Sequence, residues 1–297
     1  MFELSLFQIN LGHRRAAAYD LQMRTNKMKD FIVLAQEPWV ARKAVRGLNN
    51  QHTKIVASAS GGEPPRAMIY CHKDSRVSPC SQFQSRDVAC GLWKINMPDL
   101  DQIMLLSVYW DSKMKELPKE FLECLEWCAA HAIPVHVGGD MNAHSRLWGG
   151  KSDTPRGDRI QKLMFDHNLI LLNEGDIATF CIAGKSSVID LTMTSPACID
   201  FISSWGVIVK DNRGDGSTYN GSDHRTIETR YFTTPPKKVY RHSMKNVDWN
   251  KFRDRLSEKM RTFDLFWGLF IQFRMFVALV TLWAMDAGVR CCRTLGM

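Results

Sequence analysis

Residues 133–150 read IPVHVGGDMNAHSRLWGG, and they constrain the fold more than any other stretch. The apolar run at 133–137 has the length and bulk of a buried strand. It is expected to end at Gly138-Gly139, where a backbone turns sharply or approaches a ligand closely. Asp140, Asn142 and His144 follow, so the strand exit presents a carboxylate, an amide and an imidazole together. Such groups suit a hard cation, a phosphate oxygen and an attacking water. The same letters also make a solvated Asp-rich turn. Recurrence separates the two readings, because other short apolar runs end in the same way.

Residues 4–10 form one such run, closing on Asn10, which either caps a turn or serves a site. A helix follows at 14–28, where Ala17, Leu21 and Met28 recur at helical spacing. The strand at 31–34 delivers Gln36-Glu37-Pro38-Trp39; Pro38 cannot continue a ladder, so Glu37 falls where the strand stops. There it is placed either as a metal ligand or as a solvated turn residue. Arg42, Lys43 and Arg46 come next, as a wet face or as partners for phosphate. Runs at 54–59, 66–71, 88–96 and 103–109 are separated by Gly, Pro, Ser and Asp and predict an antiparallel meander. It ends on Tyr109, a phenol that either packs or donates to a phosphate.

Leu117, Phe121, Cys124, Leu125 and Cys128 mark an amphipathic helix whose acidic face is solvated. Asp158 is expected to cap the helix carrying Ile160, Leu163 and Met164. Strands are expected at 169–172, from 178, at 187–194, at 205–209 and at 226–232. Asp190 lies inside an apolar strand and must be paired or ligating, because an unpaired buried charge is costly. Gly221-Ser222-Asp223-His224 precedes the last strand, and Asp190 is available to orient the His224 imidazole.

A 297-residue chain suits one or two domains. Pro235-Pro236-Lys237-Lys238 divides it into a domain at 1–234, a linker with a short charged helix at 235–262, and an apolar tail at 263–297. The stretch 263–285 has the length of a membrane span, but Arg274 near its middle would cost about 2.5–3.5 kcal/mol there. A helical or disordered tail is expected instead. The net charge of +8 fits a polyanionic partner. Nine cysteines include no C-x-x-C pair, and the opening MFELSLFQIN lacks a leader pattern. Reduced thiols in a nuclear or cytoplasmic protein without structural zinc are therefore expected.

Asn10, Glu37, Tyr109, Asp140, Asn142, Asp190, Asp223 and His224 sit in blocks with a specific order. The blocks are QIN at 8–10, QEPW at 36–39, SVYW at 107–110, GGDMNAHSRLWG at 138–149, TF at 179–180, VIDLTMTS at 188–195 and GSDH at 221–224. Over residues 1–232 the chain resembles the exonuclease–endonuclease–phosphatase superfamily, and within it the endonuclease module of non-LTR retrotransposons. That resemblance implies an α/β (α+β) fold, a four-layered sandwich of two mixed sheets flanked by helices. It implies a magnesium-dependent DNA endonuclease, manganese being a possible substitute, that leaves a 3′-hydroxyl and needs no small-molecule cofactor. It also implies a downstream reverse transcriptase. This chain ends in an apolar tail, so a truncated or stand-alone copy is expected.

The resemblance assigns roles as well. Glu37 is to hold the metal, with Asn10 beside it and Asp223 in the same cluster. Asp140 is to position the attacking water, and Asn142 to orient that water and the phosphate. His224 is to bond the scissile phosphate, kept charged by Asp190, while Tyr109 contacts the phosphate. Thr179 and Ser222 are to line the cleft, with His144 and Arg146 facing substrate. Cellular abasic-site endonucleases of this superfamily carry an acid two positions after the first-strand Asn. Gly12 stands there, which weakens a DNA-repair reading. A phosphatase of the same superfamily is the alternative, and an inactive nucleic-acid-binding or membrane-tethered remnant is another.

Overall fold

The structure is a computed structural model, describing residues 3–58, 63–97, 99–182, 184–209, 220–232 and 254. The chain divides into two units, Met1–Pro236 and Lys237–Met297. Apart from Asp254, the expected charged helix and apolar tail lie outside the described residues, as do the expected boundary prolines and most of the loop at 210–220. Among the described residues, no helix is long and apolar enough to cross a membrane.

In chain order the first strands are β1 (Glu3–Asn10), β2 (Phe31–Gln36), β3 (Val40–Ala41), β4 (Ala44–Val45), β5 (Thr53–Ser58), β6 (Ala67–His72), β7 (Val77–Pro79) and β8 (Val88–Met97). Then come β9 (Leu100–Tyr109), β10 (Val135–Asp140), β11 (Ile170–Leu171), β12 (Phe180–Ile182), β13 (Lys185–Ser187), β14 (Asp190–Thr194), β15 (Ile202–Val207) and β16 (Ile227–Phe232). Among the described residues the α-helical elements are α1 (Arg15–Thr25), α2 (Lys119–Ala130) and α3 (Pro155–Asp166).

Two six-stranded sheets form, in the orders β15-β16-β1-β2-β6-β5 and β11-β14-β10-β9-β8-β7. Each has one parallel pair at its centre, β1 with β2 and β9 with β10, flanked by antiparallel strands. The sheets pack face to face. One core joins Leu6, Leu34 and Ile69 of the first to Ala89, Trp93, Ile103 and Leu105 of the second. A separate cluster seats Ala17, Ala18 and Leu21 of α1 against Phe7, Ile9, Val33 and Tyr70 on the other face of the first sheet. Central strands buried on both faces explain why β2 reads as an unbroken apolar run. On the second sheet, α2 lies against β9 and buries Phe121, Cys124, Leu125 and Cys128. The result is the four-layered α/β sandwich expected.

Four local expectations need correction. The meander is shared out, with β5 and β6 joining one sheet and β7 to β9 the other; periodicity says nothing of which sheet receives a strand. Gly138 and Gly139 lie within β10 and do not end it. A Cβ on Gly139 would sit 2.5 Å from the Val108 carbonyl, and one on Gly138 would sit 2.8 Å from Gln8 Oε1. Their smallness thus serves close approach inside the sandwich. The cap of α3 is Thr154, whose hydroxyl accepts from the Gly157 N–H, followed by Pro155 at the first helical position. Asp158 falls in the first turn. Asp190 opens β14, with no strand residue before it.

Between the sheets a polar seam leads toward one end of the sandwich. Gln36 Nε2 donates to Ser107 Oγ at 2.8 Å and to the Gly138 carbonyl at 3.2 Å. Thr192 Oγ1 donates to Gln8 Oε1 at 2.9 Å, and Gln8 Nε2 to the Gly139 carbonyl at 3.2 Å. Buried polar groups demand such partners, so the seam pins the two sheets in register.

Candidate active site

Strand register assembles the centre. Asp140, the last residue of β10, pairs with Tyr109 at the end of β9 on one side. On its other side it pairs with Asp190 at the start of β14. In the first sheet Asn10 and Gln36 end the parallel pair β1 and β2 side by side, and Glu37 follows at φ 44. The segment before β16 supplies Asp223 and His224. Strand ends from both sheets thereby meet at one edge of the sandwich.

His224 is buried between two carboxylates. Its Nδ1 lies 2.9 and 3.0 Å from the two Asp190 oxygens, which can only accept from it. Its Nε2 lies 3.9 Å from Asp140 Oδ2. Side-chain exposure is 7% for His224, 4% for Asp140 and 2% for Asp190. Burial alone would lower the imidazole pKa, but the Asp190 charge and hydrogen bond outweigh it and raise it to about 9. The Phe180 ring covers one side, its centroid 4.9 Å from that of His224. Burial and the neighbouring Asp190 push the Asp140 carboxyl above the ordinary range.

Asn10 joins the two halves. Its Nδ2 donates to Asp140 Oδ2 at 2.9 Å and to Glu37 Oε2 at 3.1 Å, while its Oδ1 accepts from the Gly12 N–H at 2.8 Å. Asp140 Oδ1 in turn accepts from the Asn142 N–H at 3.1 Å. Asn142 adopts φ 46, and its amide donates to the Trp110 carbonyl at 3.1 Å. Glu37 is more open, its other oxygen 3.3 Å from His13 Nε2. Burial raises the Glu37 pKa, yet bonds from His13 and Asn10 outweigh it and hold the carboxyl below its usual range. The hydrogen bond to Glu37 raises His13 correspondingly. Asp223 pairs with Arg14 at 2.9 Å.

Burial, with the Glu37 and Asp140 charges, drives the Tyr109 phenol well above its ordinary pKa, so it stays protonated and donates. Arg66 stacks over its ring at 4.8 Å and is itself held by Asp87, at 2.7 Å, and by Asp111.

Thr179 and Ser222, expected to line the cleft, brace it from behind. Thr179 is fully buried, and its hydroxyl accepts from the Ile189 and Asp190 N–H groups, each at 3.1 Å. Ser222 Oγ donates to the Asn10 carbonyl at 2.7 Å and accepts from the His224 N–H at 3.1 Å. His144 is tied through its main chain to Thr154, at 3.0 Å through its carbonyl. Arg146 is 74% exposed and lies 3.7 Å from Asp153, apart from the buried cluster.

Sequence reading passed over Arg156. Its guanidinium donates to the carbonyls of Asn142 (2.8 Å), Trp110 (2.9 Å), Met141 (2.9 Å), Met114 (2.7 Å) and Asp111 (3.3 Å). It also stacks on Trp110 at 3.5 Å. One side chain thus ties the loop after β9 to the loop after β10. Only its place beside the Thr154-Pro155 helix start marked it in the sequence.

Two donor sets suit a divalent cation. Asp140, Asp190 and His224 offer atoms within 4.8 Å of one another. There a cation would contend with the proton that Asp190 holds on His224. Glu37, ionised and open, with Asn10 and Asp140 adjoining, supplies the oxygen-rich surroundings a hard ion prefers. The second set fits better.

A family described as endonuclease-reverse transcriptase matches residues 103–228. No curated protein matches the chain significantly. Among solved structures, the endonuclease domain of TRAS1, a telomere-specific non-LTR retrotransposon, is similar at 26% identity and TM-score 0.62, covering 79% of this chain and all of that one. The abasic-site endonuclease LMAP of Leishmania major shares the fold at 12% identity and TM-score 0.59, covering 77% and 87% of the two chains. The 3′ phosphatase NExo of Neisseria does so at 13% identity and TM-score 0.53, covering 77% and 99%.

Proposed function

We propose that this chain, similar to the exonuclease–endonuclease–phosphatase superfamily, is a metal-dependent DNA endonuclease of the non-LTR retrotransposon kind. It nicks one strand and leaves a 3′-hydroxyl. The observation that carries this reading is the buried His224. Asp190 takes up its Nδ1, and its Nε2 is turned to the Asp140 side of the edge where both sheets end.

In the proposed reaction a water oxygen attacks phosphorus and the bond from phosphorus to the 3′-oxygen breaks, so the phosphate stays on the 5′ end. Asp140 accepts the proton of the water; its raised pKa makes it a better base than an ordinary carboxylate. Asn10 and the Asn142 N–H fix both of its oxygens. Charged His224 and the protonated Tyr109 phenol donate to the phosphate oxygens, whose negative charge grows in the transition state. Glu37, oriented by Asn10 and with Asp140 adjoining, would hold magnesium or manganese. When bound, that ion supplies positive charge to the phosphate and the departing oxygen. The net charge of +8 favours a polymer over a small phosphomonoester.

Incubation of supercoiled plasmid with the protein tests this. Nicked circles should form with magnesium, vanish with excess chelator and return when magnesium is restored. Phosphate release from small phosphomonoesters without nicking would favour the phosphatase alternative.

A further inference from the structure

We infer that the β3–β4 hairpin is a contact for the DNA backbone flanking the cleaved bond, with Arg42 and Lys43 each neutralising a phosphate. This rests on the proposed nuclease reading and adds a binding surface to it.

The register pairs Val40 with Val45 and Ala41 with Ala44, leaving Arg42-Lys43 as a two-residue turn. Their φ values are 53 and 62, the signature of a type I′ turn. Such a turn favours Asn-Gly, because L side chains resist the left-handed region. Here both positions carry long cations, both are exposed, and neither has an ion pair or side-chain hydrogen bond among the described residues. The other non-glycine residues at positive φ have local reasons. His13, Glu37 and Asn142 border the site, while Ala132 and Asn168 follow the ends of α2 and α3. Long cations kept where the turn prefers Asn-Gly, with no partner among the described residues, point to use by something outside the protein.

Position supports the same partner. Arg42 is five residues past Glu37, so it lies within ~18 Å of it along the chain, about five base pairs of B-form DNA. The hairpin base is packed, not loose. Arg46 N–H donates to the Trp39 carbonyl at 2.9 Å, and the Trp39 ring meets Tyr19 at 6.1 Å. Arg15 lies over both rings, at 5.1 and 5.4 Å, and adds a third cation on this side. A packed ribbon carrying unpaired cations at its tip suits a regularly spaced polyanion.

The test replaces the tip by the residues the turn prefers, Arg42→Asn with Lys43→Gly, and compares it with Arg42→Gln with Lys43→Gln. Binding of uncut duplex in chelator is measured against salt, beside melting temperature. Loss of two phosphate contacts should flatten the slope of log K against log salt by about 1.8 in both variants. The wild type should then lose about twelvefold more affinity than either variant between 50 and 200 mM salt. The Asn-Gly variant should melt at or above the wild-type temperature. An unchanged slope, or a lower melting temperature for Asn-Gly, overturns the inference. Wild-type plasmid nicking, run alongside, reports on the nuclease reading: nicking with unchanged slopes sinks the hairpin alone, and absence of both nicking and DNA binding sinks both.

Discussion

Two groups of charges meet at the edge where the sheets end, and they are held differently. The inner one, Asp140, Asp190 and His224, is exposed by no more than 7%. The outer one is open: Glu37 is 20% exposed beside His13 at 51%, and Asp223 is 17% exposed beside Arg14 at 39%. In the inner group every partner is fixed by strand register or by a buried hydrogen bond. In the outer group the cations are partly exposed, where an ion or a phosphate can compete for their partners. The inner group therefore has its charges arranged before substrate comes, while the outer group is arranged by what binds. Asn10 bonds to a carboxylate of each.

If that division is right, substitutions should separate chemistry from metal demand. On the proposed mechanism His224→Ala removes a donor to transition-state charge, and nicking should fall roughly a hundredfold or more while affinity for uncut DNA changes little. Retained nicking by a folded variant would break the comparison at its inner half. Glu37→Gln should act on the outer half, raising the magnesium needed for half-maximal nicking at least about tenfold. A lower rate at saturating magnesium with an unshifted metal requirement would place Glu37 in the inner group instead.

Arg156→Lys probes what holds the inner group still. An ammonium cannot span the five carbonyls that the guanidinium reaches. Stability should drop by about 2–3 kcal/mol and nicking several-fold at unchanged DNA affinity, read by denaturant melts and single-turnover rates. Arg14→Gln should have the smallest effect on the fold. An exposed pair is worth ~0–1 kcal/mol, so the melting temperature should barely move. A large loss there would mean the outer pair is structural.

The sequence showed the carboxylates and the imidazole because each ends a short apolar run or falls within three residues of a glycine. Asp140 after VHVGG and Glu37 before Pro38 are legible in that way. Side chains whose work is to bind other segments are not. Arg156 reads as one more solvated helix residue, since the carbonyls it gathers come from loops some 15 to 45 residues away. Thr179 and Ser222 were legible as neighbours of the site, but not in direction, because a hydroxyl can face the cleft or the backbone behind it. Gly138-Gly139 read as a break for a related reason: the close approach they permit involves Gln8 and Val108, which no local pattern reveals. The Thr154-Pro155 start of α3 was present in the letters and is a stronger signal than Asp158.

The central claim is that Asp190 keeps His224 charged inside the protein. A raised imidazole pKa contributes stability fully present below the ordinary value near 6.5 and lost as pH rises through about 9. Nicking that depends on the charged form should hold up to about pH 9 and decline above it. The most direct measurement is the single-turnover nicking rate of Asp190→Asn from pH 5.5 to 10, beside the wild type, at saturating magnesium. With the carboxylate gone and the imidazole still placed, the alkaline decline should move down toward pH 6.5. A variant whose decline stays where the wild type has it would contradict the account.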